Sequence, residues 1–352
     1  MKGIILHGGH GTRLRPLTHT GPKQLLPIAN QPMSQYCVET LVNAGIKEIA
    51  FIIGGIGSNK VKEYFGDGKK FGVKFTYIQQ DSPKGIAHAI SLCEDFVNNE
   101  KFVVFLGDNI IQRKINDYII DFEKSNAFAS LLLCEVNNPS QFGIAEIENN
   151  KIIKITEKPK NPPTNLAVTG IYFLTSYIFE VIKKLKPSWR NELEIADALQ
   201  ILVEEHKKII YGIITDFWKD TGTPNDIIEA NRIILENLPE SFQGEKEENV
   251  LLKGKIIVEQ GTSIKKGVKI SGPVIIGENC IIEGNAVING NTSIGKNSHL
   301  SNCNISNSII MENCIIEGKL TIKNSIIASN SKIVKDQNEK KFLLGEGTQI
   351  SL

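Results

Sequence analysis

Up to about residue 237, short apolar runs alternate with amphipathic stretches. Residues 4–6 (Ile-Ile-Leu) read as a strand, and residues 36–44 as a helix that Gly45 ends. Residues 49–53 read as a second strand, stopped by Gly54-Gly55. The apolar runs 75–78 and 102–106 follow, with a helical pattern over 87–97 between them. Further on, residues 213–218 read as another strand, and a helix opens near 192–195 and runs to 205. Strands and helices alternating at this spacing predict an α/β domain with a mostly parallel sheet covered on both faces. Ligands of such sheets bind beyond the carboxyl ends of the strands. Residues that follow strand ends are therefore the first candidates for chemistry.

After residue 250 the period changes. Val258, Ile264, Ile270, Ile276, Ile282, Ile288, Ile294 and Leu300 recur every six residues. The phase then slips, and Ile310, Ile316 and Ile322 resume the step. Neither a helical nor an alternating period accounts for this. A hexapeptide repeat does, with each short strand forming one side of a triangular β-helix coil and its aliphatic residue pointing inward. The predicted division is a first domain over 1–240 and a β-helix over 250–352. The polar stretch 238–248, with Pro239 and Gly244, is expected to be the joint.

Hydrophobic residues make up 41% of the 352 and charged residues 22%, which predicts a packed globule. Forty basic and 39 acidic side chains nearly cancel, against the basic excess of a nucleic-acid binder. The first apolar run is too short for a signal peptide, and no stretch is long enough to span a membrane. A cytoplasmic protein is expected. Six cysteines, at 37, 93, 134, 280, 303 and 314, form no CxxC and are expected to be buried thiols.

The most informative segment is Leu6-His7-Gly8-Gly9-His10-Gly11-Thr12-Arg13-Leu14-Arg15-Pro16, directly after the first strand. Its glycines allow close backbone approach and leave N–H groups for an anion. Arg13 can add charge-assisted bonds to phosphate. The run is not GxxxxGK[ST], and Leu14 stands where a dinucleotide fingerprint needs its third glycine. That excludes a nicotinamide-dependent dehydrogenase. A second basic motif, Pro22-Lys23-Gln24-Leu25-Leu26-Pro27, follows.

Together these two motifs resemble the signature of the sugar-1-phosphate nucleotidyltransferases. The likeness continues in order through Gln80, Pro83-Lys84-Gly85-Ile86-Ala87-His88-Ala89, Leu106-Gly107-Asp108-Asn109 and Phe142-Gly143. It runs on through Glu157-Lys158-Pro159, Val168-Thr169-Gly170, Glu192-Leu193-Glu194-Ile195 and Trp218-Lys219-Asp220-Thr221-Gly222 to Gly345-Glu346-Gly347-Thr348-Gln349. Within the family the chain most resembles the long form of glucose-1-phosphate thymidylyltransferase. The resemblance implies a Rossmann-like, mostly parallel mixed sheet followed by a left-handed β-helix. It implies a reaction of dTTP, or UTP, with glucose-1-phosphate to give a nucleotide sugar and pyrophosphate. His7 departs from the pattern, standing where the family generally has Ala. It is expected to be a packed or backbone-bonded ring. His10 occupies a variable position.

The implied reaction joins two anions. The attacking phosphate oxygen is already ionised at neutral pH, so positioning and charge stabilisation should suffice without a general base. Mg²⁺ is the expected cofactor, because it is bound by one or two carboxylates together with substrate phosphates. The resemblance assigns it to Asp108 and Asp220. It assigns Leu6, Gly8, Gly9, Gly11, Thr12 and Arg13 to the nucleotide's phosphates, and Gln80 and Gly85 to the base. Asn109, Gly143, Glu157, Lys158 and Val168 fall at the sugar-phosphate positions. Arg13, Lys23, Asp108 and Lys158 are the expected catalytic groups. Trp189 and Trp218 are expected to be packing groups. The repeat tail is expected to drive homo-oligomer formation, with a regulatory site or an acyltransferase using His299 as alternatives. The alternatives for the whole chain are another nucleotide or hexose phosphate, or a non-catalytic sugar-nucleotide-binding regulatory subunit.

Overall fold

A computed structural model describes residues 1–9 and 11–335. Across these residues the chain packs as two compact units. The first holds the opening strand, Thr20–Leu25 and Met33–Asp220; the second holds Gly11–His19, Leu26–Pro32 and the chain from Thr221 onward.

The first unit is built on a nine-stranded mixed sheet. Strand β1 (Lys2–His7) is central, with β2 (Glu48–Ile53) and then β3 (Lys74–Gln79) on one side and β4 (Phe102–Leu106) on the other, all parallel. Beyond β4 and a short strand β5 (Asn109–Ile111) come β6 (Ala129–Glu135), β7 (Gly143–Glu148), β8 (Lys151–Glu157) and the long β9 (Leu166–Leu174). β9 runs antiparallel to β4, β6 and β7. β10 (Ile209–Ile214) closes that edge, parallel to β6. The apolar runs are continuous because both faces of the sheet are covered. Successive side chains point to opposite faces. Thus Ile4, Leu6, Ala50, Ile52, Phe102 and Val104 enter one core, and Ile5, Phe51, Ile53, Val103 and Phe105 enter the other. Helix α1 (Met33–Asn43) buries Met33, Cys37, Val38 and Leu41 at helical spacing.

Two expected elements differ. The helix read over 87–97 is broken into α2 (Ile86–Ser91) and a four-residue turn, Glu94–Val97. The strand read over 213–218 is likewise two strands: β10 ends at Ile214, and β11 (Trp218–Asp220) pairs instead with β5.

In the second unit, α4 (Pro224–Asn237) begins with a capping box between Thr223 and Asp226. (Helix α3, Ile195–Glu204, belongs to the first unit.) A left-handed β-helix of three parallel sheets follows. Within the stretch 238–248, expected to be a joint, residues 241–246 already belong to it. Ser241–Phe242 pairs with Ile257 and Val258, and Glu245–Lys246 pairs with Ser263 and Ile264. The aliphatic repeat residues fill the interior. Asn279, Asn285, Asn291 and Asn297 take the left-handed backbone at φ 54–62° at successive corners, a conformation Asn tolerates better than most residues. The slip in the repeat is two five-residue sides, Leu300 to Ile305 and Ile305 to Ile310, all three side chains being buried. Coil partners accordingly shift from Ile281 with His299, eighteen residues apart, to Ser293 with Ile309, sixteen apart.

Asn231 of α4 is fully buried and ties the second unit together. Its Oδ1 accepts from the Ala29 N–H (2.8 Å) and the Ser293 hydroxyl (2.9 Å), and its Nδ2 donates to the Asn291 carbonyl (3.1 Å). Among the described residues no helix is long and apolar enough to cross a membrane. All six cysteines are free; five are buried as expected, and Cys134 is half-buried.

Candidate functional site

The carboxyl ends of β1 and β4 lie side by side in register, Leu6 opposite Leu106. Each runs into a glycine turn, so Gly8-Gly9 and Gly107-Asp108 share one edge of the sheet. Gln24, buried, donates from Nε2 to the Gly8 carbonyl (3.1 Å) and holds the first turn. Lys23 makes an ion pair with Asp108. Burial pushes the Asp108 carboxyl up, but the Lys23 ammonium and hydrogen bonds from Lys23 and Asn109 more than offset it and hold its pKa below the usual value. Asp108 is therefore an anion at neutral pH.

Asp220 lies opposite Asn109 in the β5–β11 pair, and Asn109 Nδ2 donates to Asp108 Oδ1 (3.0 Å). Asp220 is thus the strand partner of Asn109, the residue next to Asp108 and hydrogen-bonded to it. Tyr172 registers both acids: burial raises its pKa first, and Glu157, Asp108 and Asp220 add to the shift. Among the described residues no group of three or more metal-binding side chains gathers anywhere. A cation held by Asp108 and Asp220 would have two carboxylates from the protein and coordination positions left for phosphate and water. That suits a hard divalent ion such as Mg²⁺.

Beside the pair lies a cavity of about 150 Å³. Asn109, Gly143, Glu157, Lys158, Val168 and Asp220 all line it. β9 has an irregularity between Val168 and Tyr172, where it changes register against β6. There the Gly170 N–H turns to Asn109 Oδ1 (3.2 Å), which also accepts from Trp218 Nε1 (2.8 Å). Trp218 is thus part of the cavity wall as well as a packing group. Lys158 adopts φ 42°, its N–H bonded to the Phe142 carbonyl (3.0 Å). A non-glycine residue in this region costs energy and is found disproportionately at functional sites.

Sequence reasoning missed Arg190. Its guanidinium reaches Glu157 (3.6 Å), Glu194 (3.3 Å) and Glu192, and so fixes the carboxylate that faces the cavity. Ser188 Oγ donates to Glu194 as well (2.8 Å). Arg190 lies in an irregular loop with no motif of its own. The nearest signal is the acidic run Glu192-Leu193-Glu194, which needed a cation. Trp189, expected to pack, is 85% exposed.

At the other end of the sheet edge, Gln80 follows β3 and is buried, its N–H bonded to the Ile53 carbonyl (2.8 Å). The loop after it is strapped to Leu193: Leu193 N–H donates to the Lys84 carbonyl (2.8 Å), and Ala87 N–H to the Leu193 carbonyl (3.0 Å). Gly85 sits between these bonds at φ +100°, and a Cβ there would lie 2.4 Å from the Leu193 oxygen. Only glycine fits.

The glycine-rich motif after β1 is divided between the units. Leu6, Gly8 and Gly9 belong to the first, and Gly11, Thr12 and Arg13 to the second. Thr12 and Arg13 form a 3₁₀ turn that opens at Gly11, braced by the Thr18 hydroxyl on the Gly11 carbonyl (2.8 Å). The Arg13 guanidinium lies where a side chain at Gly222 would approach to 2.9 Å, so the glycine of the Trp218–Gly222 motif makes room for it. His7 is packed against Phe51 (ring centroids 5.2 Å apart), with both ring nitrogens buried and unbonded. His10 and residues 345–349 lie outside the described residues.

A family model described as Nucleotidyl transferase matches residues 2–237. The chain belongs to the sugar-1-phosphate nucleotidyltransferases. A second model, described as the GMPPB C-terminal domain, matches residues 270–351 of this nucleotidyltransferase. It is 46% identical over 257 residues to the low-salt glycan biosynthesis nucleotidyltransferase Agl11 of Haloferax volcanii, covering 73% of this chain and 72% of that one. It is 40% identical to a glucose-1-phosphate thymidylyltransferase of Streptomyces antibioticus over 75% of this chain and 74% of the relative. A Bacillus anthracis structure assigned as a glucose-1-phosphate thymidylyltransferase, in complex with a sucrose, superposes with a TM-score of 0.64 at 42% identity. It covers 69% of this chain and 98% of its own.

Proposed function

We propose that this nucleotidyltransferase converts dTTP and glucose-1-phosphate into dTDP-glucose and pyrophosphate. The observation that supports the reading best is the single cavity that gathers Asn109, Gly143, Glu157, Lys158 and Val168 beside Asp220. It offers hydroxyl partners, the Glu157 carboxylate and the Lys158 ammonium beside Asp220. On this reading Lys158 takes the sugar phosphate. Glu157, held by Arg190, and Asn109, held by Gly170 and Trp218, receive hexose hydroxyls. Gln80 reads the base, and Lys23 takes the triphosphate.

Asp108 and Asp220 would hold Mg²⁺, which when bound screens the two polyanions from each other. In this arrangement Lys23 neutralises Asp108. A cation at Asp108 would take over that task and free the ammonium for the α-phosphate, where charge builds during transfer. No side chain need remove a proton from the nucleophile.

Thymine and uracil differ by one methyl group, worth only about 1–3 kcal/mol in a pocket, so UTP is the second reading. Pyrophosphate release should be assayed with dTTP, UTP, ATP and GTP against glucose-1-phosphate, galactose-1-phosphate and N-acetylglucosamine-1-phosphate. The highest kcat/KM is expected for dTTP with glucose-1-phosphate. Silence in every combination, with Mg²⁺ present and the protein folded, would favour a regulatory sugar-nucleotide-binding subunit. Asp108→Asn and Asp220→Asn should each lower turnover by roughly 10²-fold or more, the usual scale for a lost transition-state contact. Near-normal turnover by either variant removes that residue from the site.

A further inference from the structure

His88 lies on α2, one turn into the helix that follows the Gly85 loop. Its Nδ1 is 2.9 Å from Gln80 Nε2. An amide nitrogen can only donate, so the imidazole nitrogen is the acceptor and the neutral ring carries its proton on Nε2. Burial, and then the Lys84 ammonium, lower the His88 pKa and favour that neutral form. With Nε2 committed to His88, the carbonyl end of Gln80 turns toward the glycine turn after β1: a side chain at Gly8 would touch Oε1 at 3.5 Å. The backbone of Gln80 is fixed separately, by the Ile53 carbonyl and by close packing on Gly54. Rotation that exchanges the amide oxygen and nitrogen would set Oε1 against the Nδ1 lone pair, and His88 opposes it while the ring proton stays on Nε2.

The order of oxygen and nitrogen matters to a base. Thymine and uracil present an N–H donor beside a carbonyl acceptor, whereas cytosine presents an acceptor nitrogen beside an amino donor. An amide paired with one edge is mispaired with the other unless it flips. We infer that His88 is a positioning residue for specificity: it locks the Gln80 amide in the order that accepts an imide edge, and so makes the site reject cytosine nucleotides. This rests on the reading of Gln80 as the base contact.

The test is the ratio of kcat/KM for dTTP to that for dCTP, with glucose-1-phosphate held fixed. His88→Leu and His88→Ala both remove the acceptor at different side-chain volumes, and either variant that folds decides the matter. The ratio should fall about tenfold or more, the scale of one mispaired buried hydrogen bond. His88→Asp, whose carboxylate can only accept, should restore it. A role limited to holding the helix would lower both rates together and leave the ratio unmoved, which would overturn the proposal. Gln80→Ala separates the two layers. If its ratio falls while that of His88→Leu does not, Gln80 reads the base but His88 is not its lock. If the ratio of Gln80→Ala matches the parent's, the reading of Gln80 fails, and the lock with it.

Discussion

His7 shows how much one buried side chain can reveal. Burial drives its pKa from 6.5 down to about 3, against a smaller opposing pull from Asp108. The unfolded chain therefore binds a proton that the folded protein refuses throughout that window. Stability from this residue is complete above about pH 6.5 and is lost on acidification toward pH 3. The slope is about 1.4 kcal/mol per pH unit while only the unfolded state is protonated. Replacing the ring by His7→Ala should flatten the stability profile by that amount between about pH 6 and pH 4. Urea unfolding at a series of pH values checks this; parallel profiles for the two proteins would mean that the ring titrates normally. The motif around His7 was legible from sequence, but its missing hydrogen bonds were not, because no local pattern shows that Phe51 and Phe65 close over the ring.

Among elements, α4 is decided by a single polar side chain. Its capping box and Pro224 start it, as sequence chemistry alone would suggest. Its seating depends on Asn231, whose three partners come from the Leu26–Pro32 segment and two positions of the β-helix. Asn231→Leu would leave a buried N–H, a hydroxyl and a carbonyl without partners. The expected loss is about 3 kcal/mol or more, read by equilibrium urea unfolding. A loss below about 1 kcal/mol, the net worth of one ordinary hydrogen bond, would show that the network contributes little. By contrast, β11 was misread because the apolar pairs Ile213-Ile214 and Phe217-Trp218 read as one run across Thr215 and Asp216. Only pairing with β5 separates Trp218–Asp220 from β10 and brings Asp220 opposite Asn109.

At the scale of the molecule, the change of sequence period near residue 250 and the division into packed units fall at different places. A chain ended after Pro239 keeps α4 but loses Asn291 and Ser293, two of the three partners of Asn231. Such a chain should melt at least roughly 5 °C lower than the full protein, since each kcal/mol is worth a few degrees at this size. Calorimetry reads the difference, and an unchanged midpoint would show that α4 does not depend on the repeats.

The sequence by itself determined the first four parallel strands, the repeats and the motif residues, because these are set by short-range periods and by backbone needs such as glycine at a tight turn. The resemblance also pointed to Asp108, Asp220, Glu157, Lys23 and Lys158 as candidates, and left Arg190 unmarked. Only the tertiary structure decided which of them meet. Asp108 with Lys23, Asp220 with Asn109, Glu157 with Arg190 and Gln80 with His88 are pairings across distant segments or around a loop. Their distances are fixed by strand register and packing, which no local stretch of chain encodes alone.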